Sequence, residues 1–103
     1  EHSPEGAAIA LDASKIEDGR TDGDLAFAID RTTTASGAYP VFLVSYLIGC
    51  EQYKDENVAA LTKAFFQTAV SEEGQSSAAK NAGSAPISDD LRTQSLAAID
   101  LIK

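Results

Sequence analysis

Cysteine occurs once in these 103 residues, at Cys50, which excludes an internal disulfide and any metal site built on paired thiolates. Histidine also occurs once. At His2 it lies where chain ends fray, and it reads as an exposed side chain, neither catalyst nor metal ligand. Basic residues are scarce: eight Lys and Arg face 16 Asp and Glu, for a net charge of −8. That balance repels phosphate backbones and anionic lipid heads, which argues against nucleic acid as a partner. No apolar run approaches the roughly 20 residues that a membrane-spanning helix requires. The opening Glu1-His2-Ser3-Pro4-Glu5 is acidic and leads into no long apolar core, so any export signal would have to lie upstream of these residues. Glycines at 19, 23, 37, 49, 74 and 83 are dispersed, giving neither a phosphate-cradling loop nor a nucleophile elbow. A chain this short has material for one core.

What is present is a dense apolar run. Tyr39-Pro40 opens it, Val41 to Ile48 is apolar or β-branched almost without a break, and Gly49 closes it. Such a run can turn neither face to water, so it reads as the central, most buried strand of an α/β fold covered by helices. Upstream, Ser3-Pro4-Glu5 is an N-cap, a first helical position and a first-turn acid for a short opening helix. Glu17 to Asp24 is a charged, solvated loop, and Leu25 to Ile29 alternates like a strand. Downstream, Val58, Leu61, Phe65, Phe66 and Ala69 predict a long helix over 56–70 with that stripe packed inward. Ser71-Glu72-Glu73 starts another helix, weakened by Gly74 and ended by Gly83, and Ser88-Asp89-Asp90 starts the last. The order is helix, strand, strand, helix, short helix, helix.

Few groups invite chemistry. Glu72 and Glu73 are adjacent and point apart on a helix, so they serve helix-start electrostatics better than proton transfer. The Glu17–Asp24 acids lack the regular spacing and terminal bidentate Glu of a calcium loop. Arg31 beside Thr32, Thr33 and Thr34, just past a strand, is the one donor cluster able to grip an oxyanion. Tyr39, Phe42, Tyr46, Phe65 and Phe66 fall on inferred core faces and read as packing. The residues name no cofactor, metal or catalytic group.

From Gly37 onward the order of parts resembles the carboxy-terminal end of the phosphate-binding proteins of phosphate ABC importers, the PstS family. The elements are Gly37-Ala38-Tyr39-Pro40 before the apolar strand, Cys50-Glu51-Gln52-Tyr53 as connector, and the Ala64-Phe65-Phe66 helix. After them come Ser71-Glu72-Glu73-Gly74-Gln75 and Ala82-Gly83-Ser84-Ala85-Pro86-Ile87-Ser88 before a last helix. Cys50 and the Glu-Gly-Gln element are most similar to forms from high-GC Gram-positive bacteria. The resemblance implies part of a two-lobed periplasmic-binding-protein type II fold. Residues 1–36 match only as helix, polar loop and strand; residues 37–103 correspond to the crossover and the closing elements of a lobe. Gly37, Tyr39 and Pro40 then form the hinge, and a proline at Gly37 is expected to stiffen it. The family's anion-binding motifs lie earlier in its chain, so no phosphate ligand is carried over, and the chain reads as a segment that binds phosphate weakly or not at all by itself. The implied protein is no enzyme: it captures inorganic phosphate outside the membrane and delivers it to an ABC permease, touching the membrane only through a lipid anchor or that permease. A binder of another ligand on the same fold and a structural or interaction domain are the alternatives.

Overall fold

The computed structural model describes all 103 residues. Its elements are α1 (Pro4–Asp12), β1 (Lys15–Ile16), β2 (Phe27–Ala28), α2 (Glu56–Val70), α3 (Glu72–Ala82) and α4 (Asp89–Ile99). Each helix starts where a short polar side chain can accept from the otherwise unpaired amides of the first turn. Ser3 Oγ accepts from the Gly6 amide at 2.9 Å, Ser71 Oγ from Gly74 at 3.0 Å and Ser88 Oγ from Leu91 at 3.2 Å. For α2 the cap is Asp55, whose Oδ1 accepts from Asn57 at 2.8 Å. Gly83, at φ +68°, ends α3 in the left-handed conformation that glycine adopts without a Cβ penalty.

The sheet is small. β1 and β2 pair antiparallel with Lys15 opposite Ala28 and Ile16 opposite Phe27, and Glu17 N–H donates to Ala26 O at 2.8 Å just beyond. The charged loop lies between them as expected. The strand read over 25–29 is therefore only partly paired. The molecule is helical with a two-stranded ladder, compatible with a piece of an α/β domain. No helix is long and apolar enough to cross a membrane.

The central strand is a correction. Residues 41–48 form no regular element, and their backbone makes no main-chain hydrogen bond. Val41 is 71 % exposed, Leu43 91 % and Ile48 92 %. The physical reason is the lack of partners: a strand is stabilised by ladders on its edges and layers on its faces, and these 103 residues supply neither here. Exposure alternates from Val41 through Ser45, with Phe42 and Val44 half-buried between exposed neighbours, the period of an extended chain.

A second correction concerns α2. Its buried side is Ala59, which clusters with Ile99 and Ile102, with Tyr53, Phe66 and Val70 packed around them. Val58, Leu61 and Phe65 stay exposed, as does Tyr46. The apolar stripe of α2 is wider than the single surface that α4 and the chain end can cover, so the narrower Ala59 side packs and the bulkier residues face outward. Around this core, Lys103 N–H donates to Glu51 O at 2.7 Å and Lys103 O accepts from Tyr53 at 2.8 Å, tying the chain end to the connector. Lys63 pairs with Asp100 at 3.3 Å on the same side. Ser88 Oγ donates to Asp12 Oδ1 at 2.8 Å and joins α1 to α4.

The α2–α3 junction explains the Ser-Glu-Glu-Gly-Gln element. Ser71 Oγ donates to Thr68 O at 2.6 Å while accepting from Gly74, so one hydroxyl closes α2 and opens α3. A Cβ on Gly74 would run into the Thr68 carbonyl. Gln75 Nε2 donates to Ala69 O at 2.8 Å and its Oε1 accepts from Ile87 N–H at 3.0 Å. Arg92 Nε donates to Val70 O at 3.0 Å. The last carbonyls of α2 are thereby satisfied from three directions.

Candidate anion site and crossover segment

The donor cluster lies in the polar connection after β2. Asp30 N–H donates to Ser14 Oγ at 3.0 Å, and the Asp30 carboxylate turns back to accept from the Thr32 amide at 2.9 Å and the Thr32 hydroxyl at 2.7 Å. This is the local turn that Asp forms with the backbone two residues on. The Thr32 side-chain bond first, then its amide, holds the Asp30 carboxyl below the usual carboxylate range. Thr33 Oγ1 accepts from the Ala35 amide at 3.3 Å, while Thr34 is exposed.

Arg31 points the other way. Its Nη1 donates to Pro40 O at 2.8 Å and to Phe42 O at 3.2 Å, Nη2 donates to Phe42 O at 3.3 Å, and the guanidinium carbon lies 5.9 Å from the Phe42 ring centroid. Carbonyls hold these guanidinium donors, and a carboxylate holds those of Thr32. An anion arriving here would have to displace Arg31 from two carbonyls and approach the negative charge of Asp30. What the arrangement does chemically is fasten the polar loop to the beginning of the apolar run.

The segment of Gly37, Tyr39 and Pro40 sits on α1. Ala38 N–H donates to Ala35 O at 3.1 Å, closing a turn through Gly37 at φ +82°, and Tyr39 N–H donates to Gly6 O at 2.8 Å. A Cβ at Gly6 would lie 3.0 Å from both Gly37 O and Tyr39 Cβ. Gly6 is thus the contact that lets this segment rest on the helix. Its signal in the sequence is a glycine inside the first turn of an alanine-rich helix, where propensity alone disfavours it. The Tyr39 ring stands edge-on to His2 with centroids 6.3 Å apart. Pro40 is half-buried and presents its carbonyl to Arg31.

Other concave ground is shallow. A cavity of about 230 Å³ is bordered by Asp12, Ser14, Phe27, Asp90, Leu91 and Gln94, where α1, β2 and α4 meet. No cluster of three or more His, Cys, Asp or Glu side chains is placed to hold a metal ion. Cys50 is exposed, its amide donating to Tyr53 Oη at 3.0 Å.

No family model matches this chain, and no solved structure matches it. Over 66 residues, 64% of its length, it is 36% identical to Phosphate-binding protein PstS 3 of Mycobacterium tuberculosis (strain ATCC 25618 / H37Rv). The figures are the same for Phosphate-binding protein PstS3 of Mycobacterium bovis (strain BCG / Pasteur 1173P2). The matched stretch is 17% of the length of these relatives, so the chain is similar to a limited part of a phosphate-binding protein of the PstS type.

Proposed function

We propose that this chain forms the carboxy-terminal part of a protein that binds inorganic phosphate outside the membrane and passes it to an ABC permease. The observation that carries the reading is the 36% identity over 66 residues to phosphate-binding proteins. In this reading the protein is a binding component and not an enzyme, and it has the two-lobed type II fold. Residues 1–36 precede a crossover at Gly37, Tyr39 and Pro40, and 37–103 close one lobe. Bare apolar surface on 41–48 and on the outer side of α2 supports a piece that packs against more polypeptide. Arg31 serves this assembly as a brace on the Pro40 and Phe42 carbonyls, and the phosphate ligands come from elsewhere.

Calorimetric titration with inorganic phosphate tests the reading on the gene product that carries these residues and on the 103 residues alone. Saturable binding by the gene product and heats no greater than dilution for the isolated chain are expected. A gene product indifferent to phosphate overturns the function. Tight binding by the isolated chain overturns the view that Arg31, Thr32, Thr33 and Thr34 are not ligands.

A further inference from the structure

We infer that Asp18 is a site of spontaneous backbone isomerisation, in which its side-chain carboxyl condenses with the Gly19 amide and the resulting succinimide reopens to isoaspartate. The chain between β1 and β2 carries Asp-Gly twice, as Asp18-Gly19 and Asp22-Gly23. In such a pair the glycine nitrogen can attack the Asp Cγ, because no Cβ stands in its way and the backbone turns freely. A new N–Cγ bond forms, and the amide hydrogen leaves with the carboxyl hydroxyl as water. Water then adds at the Asp main-chain carbonyl and breaks its bond to the glycine nitrogen. The chain now runs through Cγ, one methylene longer, and the α-carboxyl becomes the side group. Atoms balance with water alone, and the net charge is unchanged.

By sequence the two pairs are equivalent; the fold separates them. Attack needs a carboxyl and an amide that are both unengaged, and room for the unit to leave its turn. Asp18 is exposed, and no main-chain carbonyl accepts from the Gly19 amide. Arg20, two residues on, pairs instead with Glu17 at 3.6 Å and with Asp24 at 3.2 Å. Gly19 has φ +78°, and a Cβ there would meet nothing within 4 Å.

Asp22-Gly23 is held on both counts. Asp24 N–H donates to Thr21 O at 3.1 Å and closes the turn around it. Gly23 lies against the last turn of α4 and the chain end, where a Cβ would sit 2.7 Å from Leu101 Cδ1 and 3.7 Å from Ala98 Cβ. Leaving that turn means lifting the loop from this contact first, a local opening with its own free energy. The exposed Arg20–Glu17 pair that spans Asp18-Gly19 is no comparable restraint.

The test is peptide mapping of the folded gene product that carries these residues, after prolonged incubation in mildly acidic buffer, with the same chain in denaturant alongside. Electron-transfer fragmentation tells isoaspartate from aspartate, and the succinimide appears as a peptide lighter by one water. In the folded protein isoaspartate should accumulate at least about tenfold faster at 18 than at 22, because only the second site must open first. In denaturant, where neither turn persists, the two rates should agree within about threefold. Equal rates in the folded protein, or a faster Asp22, overturn the inference. So does a folded protein without isoaspartate at 18 when the denatured chain forms it. The same preference for Asp18 in denaturant also overturns it, since the cause would then lie in the neighbouring residues and not in the fold. Asp18→Glu, whose longer side chain closes the corresponding ring far more slowly, should abolish the product at 18 and leave the slow reaction at 22 as it was.

Discussion

Two glycines show how one missing methylene sets a local structure. At Gly37 the backbone has φ +82°, while proline is fixed near −65°, so Gly37→Pro breaks this turn and is not the simple stiffening that the sequence suggests. Gly37→Ala is the usable probe and should cost about 1–2 kcal/mol from the left-handed conformation alone. Gly74 is under a different constraint, since a Cβ there meets a backbone carbonyl that cannot swing aside. Gly74→Ala should therefore destabilise by about 1–3 kcal/mol despite the better helix propensity of alanine, as overpacked sites do. Urea unfolding checks both, and a Gly74→Ala variant as stable as wild type would show that the α2–α3 junction yields. Asp30 makes a pH prediction. Its carboxyl is held below the ordinary range by Thr32, so the contribution of that turn is full above the ordinary carboxylate pKa and is lost as pH falls through the lowered value. Thr32→Val removes the leading hydrogen bond and should raise the Asp30 midpoint, read from its carboxyl carbon in an NMR titration; an unmoved midpoint would refute the cause given.

Among the elements, Ser71 is the most economical device, because a single hydroxyl ends one helix and begins the next. Ser71→Ala should lower stability by about 1–2 kcal/mol, toward the upper end for N-caps. Ser71→Asp should recover only part, since it restores the acceptor for Gly74 but has no proton for the Thr68 carbonyl. Equal stability of Ser71→Ala and wild type in thermal unfolding would rule out the shared cap. The helices were largely legible for this reason: Ser3, Ser71 and Ser88 act on amides three residues away, and local chemistry is written locally. What failed was what depends on distant partners. The apolar run at 41–48 has the composition of a strand, but composition cannot supply the neighbours that make one. In α2 the stripe of Val58, Leu61 and Phe65 was visible, yet the packed side is the one around Ala59 because Ile99 and Ile102 reach only that side. The candidate site was legible as a set of donors at Arg31 to Thr34. Nothing in the sequence indicated that Pro40 and Phe42 carbonyls and the Asp30 carboxylate engage Arg31 and Thr32.

At the scale of the molecule, the accessible surface is 7344 Å², against roughly 5500 Å² for a compact monomer of this mass. The radius of gyration, 14.6 Å with extents of 46 × 34 × 18 Å, exceeds the roughly 13 Å of a compact domain of about 100 residues. Folding therefore buries only about half of the extended chain's surface, where about two thirds is usual for this size. Only Gly6, Ala10, Leu11, Ala59, Leu91, Ile99 and Ile102 are buried, and just four of these are large aliphatics, so the hydrophobic contribution is thin beside the entropy of ordering the chain. The 103 residues alone should accordingly unfold in a broad, weakly cooperative thermal transition. They should also bind an apolar dye such as ANS through the surfaces around Leu43, Ile48, Leu61 and Phe65. In the full gene product, where further polypeptide is expected to cover the exposed apolar residues of 41–48, the transition should sharpen and dye binding should fall. A sharp calorimetric transition of the isolated chain with equal van't Hoff and calorimetric enthalpies, and no dye bound, would mean that these 103 residues close their own core. The apolar residues from Val41 to Leu47 would then have to be covered from within the chain, which contradicts their exposure.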